Sequence, residues 1–279
     1  MKKLFGVIGD PISHSMSPAM HNELFKTYSI DAHYQPFHIT RGNLADAVKG
    51  FKAIRIAGFN VTVPHKEAII PLLDELDPLA EAIGAVNTVV NQDGMLIGYN
   101  TDGSGFVQGL LNQIQSINGK KVLIVGAGGA ARAIYFTIAK EGPKLLDICN
   151  RTPQRAEQIK TDCPFQVPSQ VLNRQDAEES LETYDLIVQT TSIGMHPEIG
   201  QSPLSVHKLK PGAFVSDIIY NPLQTRLLKE AAAKGAGIQN GIDMFVYQGA
   251  LAFEMWTGIG PDIKIMREKV LNQLGGLVC

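Results

Sequence analysis

The chain has 279 residues, of which 44% are hydrophobic and 19% charged, with a formal net charge of −2. That is room for one large or two ordinary globular domains, and so small a charge gives no electrostatic basis for a nucleic-acid or anionic-membrane partner. No stretch approaches the ~20 apolar residues of a membrane span, and Cys149, Cys163 and Cys279 are too few and too scattered for a disulfide framework or a cysteine metal site, so a reduced cytoplasmic setting is expected.

Met1-Lys2-Lys3-Leu4-Phe5 opens like a secretory leader, but Asp10 and Pro11 interrupt the apolar run and no small-residue cleavage site follows. Leu4 to Gly9 instead reads as a strand. Ser17-Pro18 then opens a helix, with Ser17 as cap and Pro18 at the first helical position. Tyr34 to Ile39 reads as a strand and Leu44 to Phe51 as a helix. The β-branched run from Gly58 is a buried strand that Pro64 stops. Lys66 follows at the strand's end, where open α/β sheets keep their ligands. A lysine held there is either a surface charge or an acid/base. Val86 to Val90 and Leu96 to Tyr99 flank Gln92-Asp93-Gly94 as a hairpin.

Asp102-Gly103 starts a helix with an apolar stripe at Phe106, Val107, Leu110, Leu111, Ile114 and Ile117, ended by Asn118-Gly119. Strands are expected at Val122 to Val125, Leu145 to Cys149, Leu186 to Gln189 and Phe214 to Ile218, with helices between them, so this stretch is a second α/β unit. Ile242 to Trp256 is a helix, and Ile263, Met266, Val270 and Leu274 mark another. With no strands of their own, these last helices should pack back on the first domain. The expected division is 1–102 plus 241–279 and 103–240, with the cleft between domains as the default ligand site.

Gly126-Ala127-Gly128-Gly129-Ala130-Ala131 follows a strand and precedes a helix, a pattern that lets a pyrophosphate approach backbone N–H groups at a helix N-terminus. Glycine turns before helices also occur for packing alone. About 20 residues on, NAD-binding chains place an acidic residue at the next strand end; here stand Asn150, Arg151, Thr152 and, a helical turn later, Arg155. A carboxylate would repel a 2′-phosphate, whereas Arg151 and Arg155 can bind one, so NADP is the expected cofactor.

Further motifs carry a resemblance. Ser15-Met16-Ser17-Pro18, Asn60-Val61-Thr62-Val63-Pro64-His65-Lys66, Gly84-Ala85-Val86-Asn87-Thr88 and Gly98-Tyr99-Asn100-Thr101-Asp102-Gly103 resemble the shikimate dehydrogenases. So do Asn150-Arg151-Thr152, Thr191-Ser192-Ile193-Gly194-Met195 and Tyr220-Asn221-Pro222, in the family's order. The resemblance implies an α/β fold of two domains, a substrate domain with a mostly parallel sheet and a Rossmann-like doubly wound NADP domain. It implies reversible NADPH-dependent reduction of 3-dehydroshikimate to shikimate, with Lys66 and Asp102 as the catalytic pair. As a carboxylate, Asp102 favours the charged amine, so its expected roles are orientation and substrate binding first and proton relay second.

By the same resemblance Ser15 and Ser17 bind the substrate carboxylate and Tyr220 adds a phenolic donor. Thr62, Asn87, Asp102 and Gln248 bond the ring hydroxyls, and Ile218, Gly241 and Met244 lie beside the nicotinamide. Several of these have plainer readings: Ser17 a helix cap, Thr62 a strand former, Asn87 a turn residue. Gln248 is harder to dismiss, being polar amid apolar residues on a helix that also presents Gly241 and Met244 on the same face.

No metal is expected: His14, His21, His33, His38 and His65 lack ligand spacing and read as surface or hydrogen-bonding residues. Cys149 reads as core and Trp256 as helix packing. The expected partners are small molecules, without nucleic acid or membrane, for a monomer or homodimer. The alternatives are a quinate/shikimate dehydrogenase of broader specificity, a non-catalytic NADP-sensing protein on the same fold, and a folate-linked NADP dehydrogenase, which would want a pterin-stacking pocket instead of these hydroxyl binders.

Overall fold

A computed structural model describes residues 2–276, so Met1 and Cys279 lie outside the described residues. The chain forms two compact units, 1–101 with 246–279, and 102–245.

The first unit begins β1 (Lys3–Gly9), α1 (Ser17–Thr27), β2 (Ala32–His38), α2 (Leu44–Ala53) and β3 (Gly58–Val61). β4 (Glu75–Leu76), α3 (Pro78–Ile83), β5 (Thr88–Gln92) and β6 (Met95–Tyr99) follow. Its six-stranded sheet has the order β2-β1-β3-β5-β6-β4. β1 runs parallel to β2 and β3, and β5 antiparallel to β3 and β6. The hairpin expected at Gln92-Asp93-Gly94 is present, with Asp93 at φ 53° and Gly94 at φ 99°, the positive-φ pair that two-residue hairpins favour. Short β4 and α3 carry too weak a periodic signal to be read from sequence, although Asp77 caps α3 by accepting from the Leu79 and Ala80 amides.

The two faces of β3 explain this unit's core. Phe59 and Val61 point into an apolar cluster with Ile8, Val48, Phe51 and Val89. Gly58 and Asn60 alternate to the other face. There the Trp256 indole covers Gly58, where a Cβ would stand 2.3 Å from Nε1. The indole N–H donates to the Val89 carbonyl at 3.0 Å. Phe5, Phe25, Tyr34 and Phe253 complete an aromatic layer on this face.

The second unit contains α4 (Asp102–Leu111), β7 (Lys121–Val125), α5 (Gly129–Lys140), β8 (Leu145–Cys149), α6 (Pro153–Asp162) and β9 (Val171–Leu172). α7 (Arg174–Glu179), β10 (Leu186–Gln189), β11 (Phe214–Asp217), α8 (Arg226–Ala233) and β12 (Gly237–Gln239) complete it. Its sheet is wholly parallel in the order β12-β11-β10-β7-β8-β9, the doubly wound arrangement whose direction reverses between β7 and β10. α9 (Ile242–Thr257) passes from the second unit to the first between Phe245 and Val246, and α10 (Ile263–Gly276) packs on α1, with Lys269 paired to Glu23 at 2.9 Å.

Three readings are corrected. α4 stops at Leu111, which is exposed, instead of running through Ile117. Past it, Asn112 donates to the Gln108 carbonyl and the Ser116 hydroxyl accepts from the Asn118 amide, local bonds that compete with helix. Ser17 is the first residue of α1 and not its cap; the cap position is Met16, with no side-chain bond. His21 is neither a surface nor a hydrogen-bonding residue: it is fully buried, neither ring nitrogen has a partner, and the ring stacks on Tyr34 at 4.6 Å.

Burial holds the His21 pKa down to about 3. The unfolded chain takes a proton there below about 6.5, while the folded chain does not, so acidification between those values favours unfolding. His21→Phe keeps the stacking and lacks the proton site. Denaturant titrations from pH 7 to pH 4 should show the variant gaining on the wild type by up to about 1.4 kcal/mol per pH unit below 6.5. Parallel pH dependences would contradict this.

Candidate active site

In the first unit, the segments that leave the C-terminal ends of the parallel neighbours β1 and β3 carry the predicted substrate residues. After β1 comes a turn in which the Ser15 amide donates to the Ile12 carbonyl and the Ser17 amide to Ser15 Oγ at 3.3 Å. Ser15 is half-buried and Ser17 buried. After β3, Thr62 packs its methyl against Gly9, where a Cβ would stand 2.6 Å away.

The turn bearing Lys66 is anchored on both sides. The buried His65 ring reaches the Ile39 carbonyl through Nε2 at 2.6 Å, and the Val86 amide donates to the Lys66 carbonyl at 2.8 Å. The next residue after Val86 is Asn87. The half-buried Lys66 therefore springs from a fixed backbone on the edge that also carries Thr62 and Asn87. Gln248, half-buried on α9, adjoins Gly249, where a Cβ would meet Met20 of α1 at 2.4 Å. The helices bearing Gln248 and Ser17 are thus in close contact.

A buried polar network runs through this unit. The Tyr34 phenol donates to Asn60 Oδ1 at 2.7 Å, and Asn60 Nδ2 donates to the Asn87 carbonyl at 3.2 Å and to Thr88 Oγ1 at 3.1 Å. The Asn87 carboxamide holds Thr101, accepting from its amide at 2.8 Å and donating to its hydroxyl at 2.9 Å. The sequence reading gave Tyr34, Asn60, Thr88 and Thr101 no role. The available signal was an amide at Asn60 in an otherwise apolar strand.

The structure divides the predicted substrate residues: Asp102 and Tyr220 belong to the second unit, the others to the first. Asp102 is buried at the start of α4. Gly103 beside it lies so close to α5 that a Cβ would stand 2.4 Å from the Ala133 carbonyl, which fixes this end of α4. Tyr220 packs its ring on Phe245 at 5.5 Å, and burial pushes its phenol pKa up, so it remains a donor at neutral pH.

The glycine-rich turn sits at the C-terminal end of β7, beside β10, where the doubly wound sheet reverses direction. Gly126 has φ 114°, and a Cβ there would stand 2.5 Å from Thr190 Oγ1, so both conformation and packing demand glycine. Gly128 and Gly129 differ: a Cβ on either meets no protein atom within 4 Å, so packing does not explain them. They open α5, a twelve-residue helix without a side-chain cap, flanked by Ala127 and Ala130. Close backbone approach by an anion does explain them.

Asn150 turns the chain by donating from Nδ2 to the Thr152 carbonyl at 2.8 Å, and Thr152-Pro153 starts α6. Arg151 and Arg155 are exposed, with no ion pair among the described residues, and the first turn of α6 has no acidic residue. Two cations oppose the positive end of a helix, an arrangement that a bound phosphate would offset. These residues fit a dinucleotide bearing a 2′-phosphate. Gly241 and Ile218 are brought together: a Cβ on Gly241 would stand 1.9 Å from the Ile218 carbonyl. Met244 follows in the first turn of α9. Asp217, just before Ile218, has its pKa pushed up to about 6 by burial, against the pull of bonds from the Ile219 amide and Thr225 hydroxyl. Among the described residues no group of three His, Cys, Asp or Glu could hold a metal, and no helix is long and apolar enough to cross a membrane.

Comparison with known proteins gives a consistent result. Residues 7–89 match the shikimate dehydrogenase substrate-binding domain, 110–215 the shikimate/quinate 5-dehydrogenase family and 241–271 the shikimate 5′-dehydrogenase C-terminal domain. A shikimate dehydrogenase (NADP(+)) of Bacillus cereus is 56% identical over 277 residues, 99% of this chain and 100% of that protein. A shikimate dehydrogenase crystallised with NADP+ superposes with a TM-score of 0.91 at 41% identity, covering 98% of this chain and 96% of that one. The Listeria monocytogenes shikimate 5-dehydrogenase, in complex with shikimate and NAD, gives 0.91 at 38% identity, covering 96% of each chain.

The glycine geometry separates two kinds of substitution. Gly241→Ala should lower stability by about 1–3 kcal/mol or more, because its Cβ meets a backbone carbonyl. Gly128→Ala should stay within about 0.5 kcal/mol of wild type. Thermal melting of both variants checks this, and equal melting temperatures would contradict the packing assigned to Gly241.

Proposed function

The chain belongs to the shikimate dehydrogenase family, and we propose that Lys66 is the acid/base of its reaction, with Asp102 as its partner. The enzyme reversibly reduces 3-dehydroshikimate to shikimate with NADPH, on the route to chorismate and the aromatic amino acids. NADPH, when bound, supplies the hydride. The C3 oxygen gains charge as the carbonyl is reduced, and the Lys66 ammonium donates a proton to it. In the oxidative direction the neutral amine takes the proton from the C3 hydroxyl.

The observation that carries this reading is the anchored turn that delivers Lys66 to the edge bearing Ser15, Ser17, Thr62 and Asn87. On this reading Ser15 and Ser17 hold the carboxylate, with Tyr220 adding its phenol. Thr62, Asn87, Asp102 and Gln248 pair with the ring hydroxyls, which an apolar substrate would leave unmet at a cost. Asp102 orients the Lys66 ammonium and the substrate, and relays protons second.

For the cofactor, the amides from Gly126 to Ala130 are assigned to the pyrophosphate. Asn150, Arg151, Thr152 and Arg155 are assigned to the adenosine end, with the arginines on the 2′-phosphate. Ile218, Gly241 and Met244 take the nicotinamide. The assignment makes 1–102 with 241–279 the substrate domain and 103–240 the NADP domain, in a cytoplasmic enzyme acting as monomer or homodimer.

Lys66→Ala should lower kcat by about 10²–10⁴ with a smaller change in KM, read from NADPH absorbance with 3-dehydroshikimate. A near wild-type kcat would exclude Lys66 as the acid/base. Arg151→Ala should raise the KM for NADPH by about tenfold or more, since hydrogen bonds to charged groups contribute ~1.5–3 kcal/mol. An unchanged preference for NADPH over NADH would remove the phosphate role.

A further inference from the structure

Asn60 is a carboxamide in the middle of a buried strand, on the face of β3 that otherwise carries Gly58 beneath an indole. Burying such a group is costly unless its donors and acceptors are met. Asn60 meets them at both ends. Its Oδ1 takes the Tyr34 phenol at 2.7 Å, while Nδ2 divides between the Asn87 carbonyl and the hydroxyl of Thr88, its direct cross-strand partner.

The chain of contacts continues in both directions. On one side the fully buried Tyr34 ring stacks on His21 at 4.6 Å, one turn after Ser17 on α1. On the other side the Thr88 hydroxyl donates to Asn87 Oδ1 at 3.1 Å. The bonded path Tyr34–Asn60–Thr88–Asn87, packed at its Tyr34 end on the helix that carries Ser17, thus joins a helix, an outer strand and two inner strands through buried side chains. One end packs on the helix that carries Ser17, assigned to the carboxylate, and the other is Asn87, assigned to a ring hydroxyl.

We infer that Tyr34 and Asn60 are positioning residues of the substrate site, fixing the spacing and orientation of Ser17 relative to Asn87 and so selecting a ring acid whose carboxylate and hydroxyl match that spacing. Neither residue is assigned a contact with substrate; each acts through the binding residue at its end of the path. Buried networks of this kind hold their members in one rotamer, which is what a rigid binding pair needs. The inference rests on the assignment of Ser17 and Asn87 to substrate binding.

Tyr34→Phe removes one hydroxyl and leaves the ring on His21. It should raise the KM for shikimate by about tenfold, the effect of losing one buried hydrogen bond, with kcat changed less than about threefold and the KM for NADP unchanged. Asn60→Asp keeps the acceptor for Tyr34 but loses both Nδ2 donations, and should raise the same KM. Melting curves and the NADP KM report whether either variant is folded. Because Tyr34 acts through Ser17, adding Tyr34→Phe to Ser17→Ala should raise KM by less than about twofold more.

A folded Tyr34→Phe or Asn60→Asp enzyme with wild-type KM for shikimate overturns the inference, as does full additivity with Ser17→Ala. If Ser17→Ala alone leaves KM for shikimate unchanged, the assignment of the carboxylate site fails and the inference falls with it. A raised KM in Ser17→Ala beside a wild-type KM in Tyr34→Phe overturns the positioning role alone.

Discussion

The bond between the Asn87 carboxamide and Thr101 is the constraint on which the placement of the site depends. Asn87 follows the chain that pairs with the Lys66 carbonyl, and Thr101 is the last residue before Asp102. One side chain, 3% exposed, therefore ties the segment that follows the Lys66 turn to the residue before α4. In water such a bond would yield little net free energy; buried, its loss leaves a donor and an acceptor unmet at roughly 1–3 kcal/mol each. That asymmetry is what holds the backbone in one place.

On the proposed assignment, the two units recognise their ligands by different physics. A dinucleotide presents repeated negative charge, and for it the second unit would offer backbone amides at a helix N-terminus and two arginines that have no ion pair among the described residues. A small polyhydroxy acid has only one charge and must be read by direction. For that the first unit would offer short hydroxyl and amide side chains whose own bonds fix their orientation. Glycine serves both units for different reasons, as a site of close packing at Gly58, Gly103 and Gly241 and as an open approach at Gly128 and Gly129.

Much of this was legible in the sequence. The strands Leu145–Cys149 and Leu186–Gln189 agree with their expected limits because their apolar runs are bounded by turn residues. The parallel character of the second sheet follows from the alternation of strands and helices, and the family from ordered motifs spread along the chain. What escaped was set by tertiary neighbours. β4 and β9 are two residues each and exist by pairing with β6 and β8. The early end of α4 reflects side chains that bond their own backbone, which an apolar stripe does not reveal. Ser17 looked like a cap because Pro18 follows it, yet the helix begins one residue earlier. His21 gave no sign of its burial, since only the aromatic layer around it makes an unpaired imidazole tolerable.

The central claim is that this chain oxidises shikimate with NADP as its proper cofactor. Initial rates at the NADPH absorbance band, with wild-type enzyme and shikimate and with NADP or NAD in turn, test it most directly. The account predicts turnover with NADP and a kcat/KM at least about tenfold above that with NAD, the discrimination expected from charged bonds to one additional phosphate. No turnover of shikimate with NADP, or equal use of the two cofactors, would contradict it.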